Sequence, residues 1–550
     1  MFNRWRVLVV LLAALVSPLA MGSDLLVKNV RGVTPTVDGM QQFSCMTVSD
    51  GRVETLATGE ECGTLSAAEI IDGKGRGLLP GLIDAHGHVL WYGLAHTRVD
   101  LVGTKSLEEA LQRVKAFADA HPDHPWILGR GWNQEHWPER KFPTAADLDK
   151  VVPDRPVWLG RIDGHAGWAN SAALKASGVN AETENPHGGM LIRDEQGRPS
   201  GVLVDAAEAL VGDHVPELTM AQRRDALATA TRELAAFGLT GVHDAGVDPA
   251  SLEAYRELAG NGGLAIRIYA MLSGADYADG VPPYPFVIGQ QRLLVQSIKL
   301  YIDGAMGSRG AAFMEPYKDD PENSGLLFMQ PEQIDALVAK WSNASYQVNV
   351  HAIGDLANKV VLDAFEKLDP VDRKRLRHRI EHVQVVAPED LKRFATLGIV
   401  PSMQPVHVSS DWRMLGERLE ERRLVGAYAW RSLLDDGNRI AAGSDFPVES
   451  PNPMFGLYAA VTRLDMDGEP EGGWHPDQKM TLDEALRAFT LDAAWAAHQE
   501  RELGSLEKGK WADFILVDRD LYAIPAEQIK DVRVLGTWVA GENVYLDSGK

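Results

Sequence analysis

Pro80-Gly81-Leu82-Ile83-Asp84-Ala85-His86-Gly87-His88 reads as a short apolar strand that ends in two imidazoles. Side chains alternate along a strand, so Asp84, His86 and His88 share one side while Ala85 and Gly87 take the other. A His-x-His pair alone is as easily structural as metal-binding. Its weight comes from other strands that end the same way. Lys299 lies in Ile298-Lys299-Leu300-Tyr301-Ile302, His351 closes Val348-Asn349-Val350-His351, His382 closes Ile380-Glu381-His382, and Asp445 closes Ile440-Ala441-Ala442-Gly443-Ser444-Asp445.

Around these segments apolar strands alternate with helical stretches, such as Met220 to Phe237, Pro331 to Ser342, Pro388 to Leu397 and Thr481 to Ala497. That alternation is the pattern of parallel βα units. Candidate strands run Leu82 to His86, Thr240 to Asp244, Ile266 to Met271, Ser297 to Ile302, Gln347 to His351, Arg379 to Val383, Ile399 to Met403 and Ile440 to Asp445. Eight strands in an α/β chain predict a closed (β/α)8 barrel of the TIM type, whose carboxyl-terminal strand ends meet on one chemically active face. The first two strands are separated by roughly 150 residues, far beyond an ordinary βα connection. An inserted subdomain at about residues 96–225 is therefore expected to overhang that face.

The flanks differ. Residues 24–79 and 505–550 carry short β-like runs bounded by turn residues, and neither is long enough to bury a core alone. Pairing them into one small β-sandwich beside a barrel at 80–504 is the economical arrangement.

Residues 1–22 have the form of a secretory signal: Arg4 and Arg6, an apolar run from Val7 to Val16, then Ala20-Met21-Gly22 before Ser23. No cysteine follows to carry a lipid, and the apolar run is short for a membrane span. A soluble exported protein, periplasmic or secreted, is expected. Without Arg4 and Arg6 the chain keeps 53 basic against 77 acidic side chains, and this acidity disfavours nucleic acid as a partner. Cys45 and Cys62 are the only cysteines, and an oxidising compartment favours their pairing over two buried thiols.

An ammonium facing a barrel axis, as at Lys299, is costly unless an acid neutralises it or the amine becomes reactive. A neutral lysine can add CO2 to give a carbamate, an anionic oxygen donor; a salt bridge to Asp303 is the competing reading. His351 and His382 could each be satisfied buried histidines, and Asp445 could cap a helix. Several further residues are candidates for touching substrate. His165, in the insertion's Asp163-Gly164-His165, could polarise a carbonyl; Arg309 could clamp a carboxylate; His243 ends the second strand; Trp132 could wall the pocket. Each has a bland alternative, respectively a backbone-bonded histidine, a surface ion pair, a structural hydrogen bond and a core aromatic.

The strand motif with His86 and His88, the strand lysine, the two later histidines and the Gly443-Ser444-Asp445 ending resemble the amidohydrolase superfamily, as does the closing run Gly504 to Asp513. The long insertion and Asp303-Gly304-Ala305-Met306-Gly307-Ser308-Arg309 are similar to its family-3 branch, which includes N-substituted formamide deformylases. The resemblance implies one or two divalent ions, usually zinc. His86, His88 and Asp445 would hold one, His351 and His382 the other, and a carboxylated Lys299 would bridge them. It also implies a tendency toward homodimers. The resulting expectation is an exported hydrolase that cleaves an amide or N-acyl C–N bond of a small molecule, with metal-activated hydroxide as nucleophile and Asp445 moving the proton. Alternatives are ester, lactone or organophosphate hydrolysis or isomerisation at the same site, or a secreted barrel that binds a ligand without catalysis.

Overall fold

The computed structural model describes residues 23–278 and 285–548. The expected signal segment, 1–22, lies outside them.

Eight parallel strands form the central barrel: Leu82–Gly87, Leu239–Val247, Arg267–Ser273, Leu293–Tyr301, Gln347–Ala352, Arg379–His382, Val400–Met403 and Ala441–Ala442. They pair in sequence order from the first to the eighth. The ring is closed by backbone hydrogen bonds across the seam, Asp445 N to His86 O at 2.7 Å and His88 N to Phe446 O at 2.7 Å. The eighth strand is shorter than its apolar run predicts. At Asp445 the backbone turns to φ 60°, which redirects the carboxylate before the bridge to Phe446. Such a left-handed non-glycine residue costs free energy that the surrounding packing must offset.

Helices alternate with the strands as the patterning requires. Met220–Ala236 and Leu482–Ala488 both start with capping boxes, Thr219 with Gln222 and Thr481 with Glu484, that satisfy backbone donors at their first turns. The predicted helix Thr481 to Ala497 is broken into Leu482–Ala488 and Leu491–Ala496 where Thr490 leaves helical geometry. Outward strand residues such as Ile298, Leu300, Val348 and Val350 pack with these helices in the largest apolar cluster. Among the described residues no helix is long and apolar enough to cross a membrane.

Strands from both ends of the chain share one seven-stranded sheet, ordered Glu542–Leu546, Val534–Val539, Phe514–Val517, Ala67–Pro80, Ser23–Thr36, Gly39–Ser49, Arg52–Ala57. Hydrogen bonding thus runs continuously from the strands of one flank to those of the other. Register shifts between Lys28 and Val30 bend the long central strands, and Val27, Phe43, Met46, Leu78, Phe514 and Trp538 pack together against one another. Cys45 and Cys62 are disulfide-bonded with their Cα atoms 5.8 Å apart.

The segment between the first two barrel strands builds a separate six-stranded sheet, from Val99–Asp100 to Pro199–Asp205, with its own apolar core. It is fastened over the carboxyl-terminal barrel face. Arg130 donates to Pro447 O at 2.7 Å beyond the eighth strand, and Arg418 pairs with Glu135 at 2.7 Å.

Candidate metal centre

The first and eighth strands are joined by more than backbone. Asp84 Oδ1 accepts from the backbone N–H of His86 and of Ser444, both at 3.0 Å, while the Ser444 hydroxyl donates to Oδ2 at 2.6 Å. Asp84 therefore acts as a staple. The seam tolerates only glycine at 443, because a Cβ there would sit 2.5 Å from Asp84 Oδ1 and 2.6 Å from the backbone nitrogen of His86.

This stapling brings His86, His88 and Asp445 together. Asp445 Oδ1 lies 3.4 Å from His86 Nε2 and 3.2 Å from His88 Nε2. A tetrahedral zinc with bonds near 2.0–2.1 Å has ligand-to-ligand edges of about 3.3 Å, so the three donors are spaced to share one ion. Asp445 Oδ1 is buried and makes no conventional hydrogen bond among the described residues. A buried carboxylate oxygen left without a donor is expensive unless a cation satisfies it, and the donor set fits a divalent ion.

Each imidazole is aimed by its other nitrogen. Glu381 Oε2 holds His86 Nδ1 at 2.6 Å, Ala245 O holds His88 Nδ1 at 2.9 Å, and Gln404 Oε1 holds His382 Nδ1 at 2.8 Å. Carboxylate or carbonyl partners of this kind fix the tautomer that presents Nε2 to a metal. Burial pushes His86, His351 and His382 well below the ordinary histidine range, which favours the unprotonated nitrogen a metal requires. Burial alone would raise Asp445, but the imidazoles of His86, His88 and His382 outweigh it and hold the carboxyl well below the usual range.

Lys299 is buried inside the barrel with Nζ 3.5 Å from His86 Nε2 and 4.2 Å from the centre of the Tyr301 ring. It forms no ion pair among the described residues. Asp303, its expected counterion in the bland reading, instead accepts the backbone N–H groups of Ala312, Ile353 and Gly354 at 2.9 to 3.0 Å. His351 packs on His382 with ring centres 4.5 Å apart, but its Nε2 faces Gly304 O at 3.4 Å and Asp303 Oδ1 at 3.5 Å.

The insertion delivers His165 to the cluster, its ring centre 5.1 Å from that of His351. Nδ1 of His165 bonds Asp205 Oδ1 at 2.7 Å. Burial works against a charge on His165, yet the Asp205 carboxylate wins and raises its pKa.

Three nominated substrate residues lie elsewhere. Trp132 is fully buried in the insertion's own core, donating to Leu159 O at 2.8 Å and packed near Trp137 and Trp168. His243 falls in mid-strand because the second strand runs on to Val247, and its Nδ1 lies 3.0 Å from Arg379 in the barrel interior beside Tyr269. Arg309 is half-buried and held by Asp319 at 2.7 Å, the ion pair that competed with a clamp role.

Other residues entered the site without being named from sequence. Glu381 immediately precedes His382 on the sixth strand, and nothing in its own position distinguishes it in the sequence. His407 lies four residues past the seventh strand, in the first turn of helix His407–Arg418, where no strand-end rule reaches. Trp91, 42% exposed, stacks on the His88 ring at 4.5 Å, and its place two residues after the helix start at Val89 offered no signal beyond nearness to the motif.

A parallel eight-stranded barrel with a His-x-His strand and a carboxylate on its last strand defines a metal-dependent hydrolase. Residues 69–545 match the amidohydrolase family profile, and the chain belongs to that family. It is 35% identical to Protein LONG AFTER FAR-RED 3 of Arabidopsis thaliana, covering 97% of this chain and 94% of the relative. It is 30% identical to N-substituted formamide deformylase of Arthrobacter pascens, over 96% of this chain and 99% of the other. Among solved structures, that of an uncharacterized metal-dependent hydrolase from Pyrococcus horikoshii superposes with a TM-score of 0.74 at 28% identity, covering 91% of this chain and 99% of that one.

Proposed function

We propose that this protein is an exported hydrolase that cleaves an amide or N-acyl C–N bond in a small molecule. The observation that carries the reading is the convergence of His86, His88 and Asp445 on donor separations that suit one ion, next to a buried lysine without a counterion. Similarity over nearly the full length of an N-substituted formamide deformylase favours a C–N substrate.

A divalent ion, zinc by its donor chemistry, supplies Lewis acidity that lowers the pKa of a water and polarises a carbonyl oxygen. His86 and His88 hold their Nε2 atoms toward it, aimed by Glu381 and Ala245 O. Asp445, ionised at neutral pH, accepts a proton from the attacking water at a carboxylate oxygen and returns it to the departing nitrogen. His165, its Nδ1 tied to Asp205, donates to the substrate carbonyl oxygen from the insertion side. Trp91 supplies an apolar wall at the mouth. Lys299, lacking a carboxylate partner, is the amine that reacts with CO2, and its carbamate adds an oxygen donor beside His86. Carbon-13 bicarbonate should give a carbamate resonance in the native chain that Lys299→Met lacks.

Export is supported by the N-terminal pattern and by the Cys45–Cys62 disulfide, since such bonds persist in oxidising compartments. Protein recovered from outside the cytoplasm should begin at Ser23. The reaction class is tested with the zinc-loaded enzyme on matched N-formyl amines, N-acyl amines, esters and lactones. Hydrolysis led by the amides is the expected result; esters or lactones turned over faster, with amides inert, would overturn the C–N reading.

A further inference from the structure

Arg379 and Glu381 stand two residues apart on the sixth barrel strand, so their side chains leave the same face, and both point into the barrel. Each crosses the interior to a histidine. Arg379 Nη1 donates to His243 Nδ1 on the opposite, second strand at 3.0 Å, and Glu381 Oε2 meets His86 Nδ1 on the first strand at 2.6 Å. Asn349, on the fifth strand, is the register partner of Arg379. All three side chains are fully buried. A barrel interior is ordinarily packed with branched apolar side chains, so a charged and polar level beside a proposed metal ligand needs its own explanation.

The second observation is what these side chains leave unsatisfied. Arg379 Nε and Nη2, Asn349 Nδ2 and Oδ1, and Glu381 Oε1 are buried and find no hydrogen-bond partner among the described residues. Arg379 is the opposite charge that acts most strongly on Glu381, ahead of Lys299, yet the two form no direct hydrogen bond. The unpaired atoms are complementary. Arg379 brings donors only, Glu381 Oε1 is an acceptor, and the Asn349 amide offers one of each kind. Internal water, which takes about three polar partners, is the ligand that joins donors and acceptors held in this way.

We propose that Arg379 is a positioning residue of the metal centre: together with Asn349 it holds internal water against Glu381 Oε1, and this fixes the carboxylate whose other oxygen aims His86. The inference rests on the reading that His86 holds a divalent ion. A carboxylate aims an imidazole only if it cannot turn, and the terminal torsion of a glutamate is soft. One bond to His86 leaves that torsion free, and an anchor on Oε1 removes the freedom. The strut continues through the Arg379 guanidinium to His243, so the far wall of the barrel braces the histidine that faces the ion. His243, nominated from sequence as a substrate contact, becomes the distal end of this strut.

Zinc affinity, measured by chelator competition, tests this as a double-mutant cycle on the full chain: the unaltered protein, Arg379→Met, Glu381→Gln and the two substitutions together. Arg379→Met should weaken zinc binding by about 10-fold, and should add nothing once Glu381→Gln is present, because the carboxylate it positions is gone. Equal affinity in Arg379→Met and the unaltered protein, or losses that multiply in the double variant, overturns the inference. His86→Gln separates the inference from the reading beneath it. If that variant binds zinc as the unaltered protein does, the metal site itself is misassigned and the inference falls with it; if it loses zinc while Arg379→Met keeps it, only the inference falls. Should Arg379→Met fail to fold, Asn349→Leu takes its place in the cycle with the same expectation. Crystals of the unaltered protein decide independently: water bonded to both Arg379 and Glu381 Oε1 supports the assignment, and a dry gap or a direct ion pair between them overturns it.

Discussion

Glu381 and His86 are neighbours on different strands, with Oε2 of the first 2.6 Å from Nδ1 of the second and both side chains fully buried. Since the carboxylate fixes which imidazole nitrogen faces the metal, Glu381→Gln should weaken zinc affinity by about 10–100-fold. A competition titration against a chromophoric chelator measures it. Unchanged affinity would mean that the ring is positioned by packing alone.

Asp445 is assigned both a ligand oxygen and the proton transfer. Asp445→Asn keeps the shape and removes the base, so kcat should fall by at least about 10²-fold while the circular dichroism spectrum and unfolding midpoint stay near those of the unaltered protein. An active Asn variant contradicts the assignment.

Trp132 separates a pocket role from a packing role. It lies at the centre of the insertion's aromatic cluster, so Trp132→Ala should destabilise the protein by about 3–5 kcal/mol. KM for the substrate found in the panel should be unaltered at temperatures where the variant remains folded. A large KM change with normal stability would restore the pocket role.

Burial raises Asp244 to about 6, although the Tyr255 hydroxyl and the Val89 N–H both donate to it. An acid whose folded pKa exceeds its unfolded value of about 3.9 holds its proton longer in the folded state, so stability is present at low pH and declines as pH rises through that window. The decline should be on the order of 3 kcal/mol between about pH 4 and 6. Denaturant midpoints across that range should fall more steeply for the unaltered protein than for Asp244→Asn. Parallel slopes would show that Asp244 does not titrate there.

The barrel was legible because its strands carry apolar residues toward the helices and its ligand-bearing ends carry residues that apolar strands otherwise avoid. Lys299 is the clearest case, a charge between Ile298 and Leu300 that only a purpose-built interior tolerates. Glu381 and His407 were illegible for opposite reasons. Glu381 sits within a strand credited to His382, and one sequence does not show that inside the closed barrel it meets His86. His407 depends on a helix that follows the strand after a short turn, and one sequence does not specify where that first turn points. Arg309 and His243 were nominated from nearness in sequence to strand ends and Trp132 as an aromatic of the insertion, but local packing and their own partners determine their surroundings: Asp319, Arg379 and Leu159.

The central claim is that a divalent ion at His86, His88 and Asp445 is required for turnover. Strip the native protein with a chelator, measure residual metal and activity on the same sample, then add back zinc in steps. Activity should vanish with the metal and return in proportion to the first equivalent restored. Full activity in protein shown to be metal-free would contradict the account.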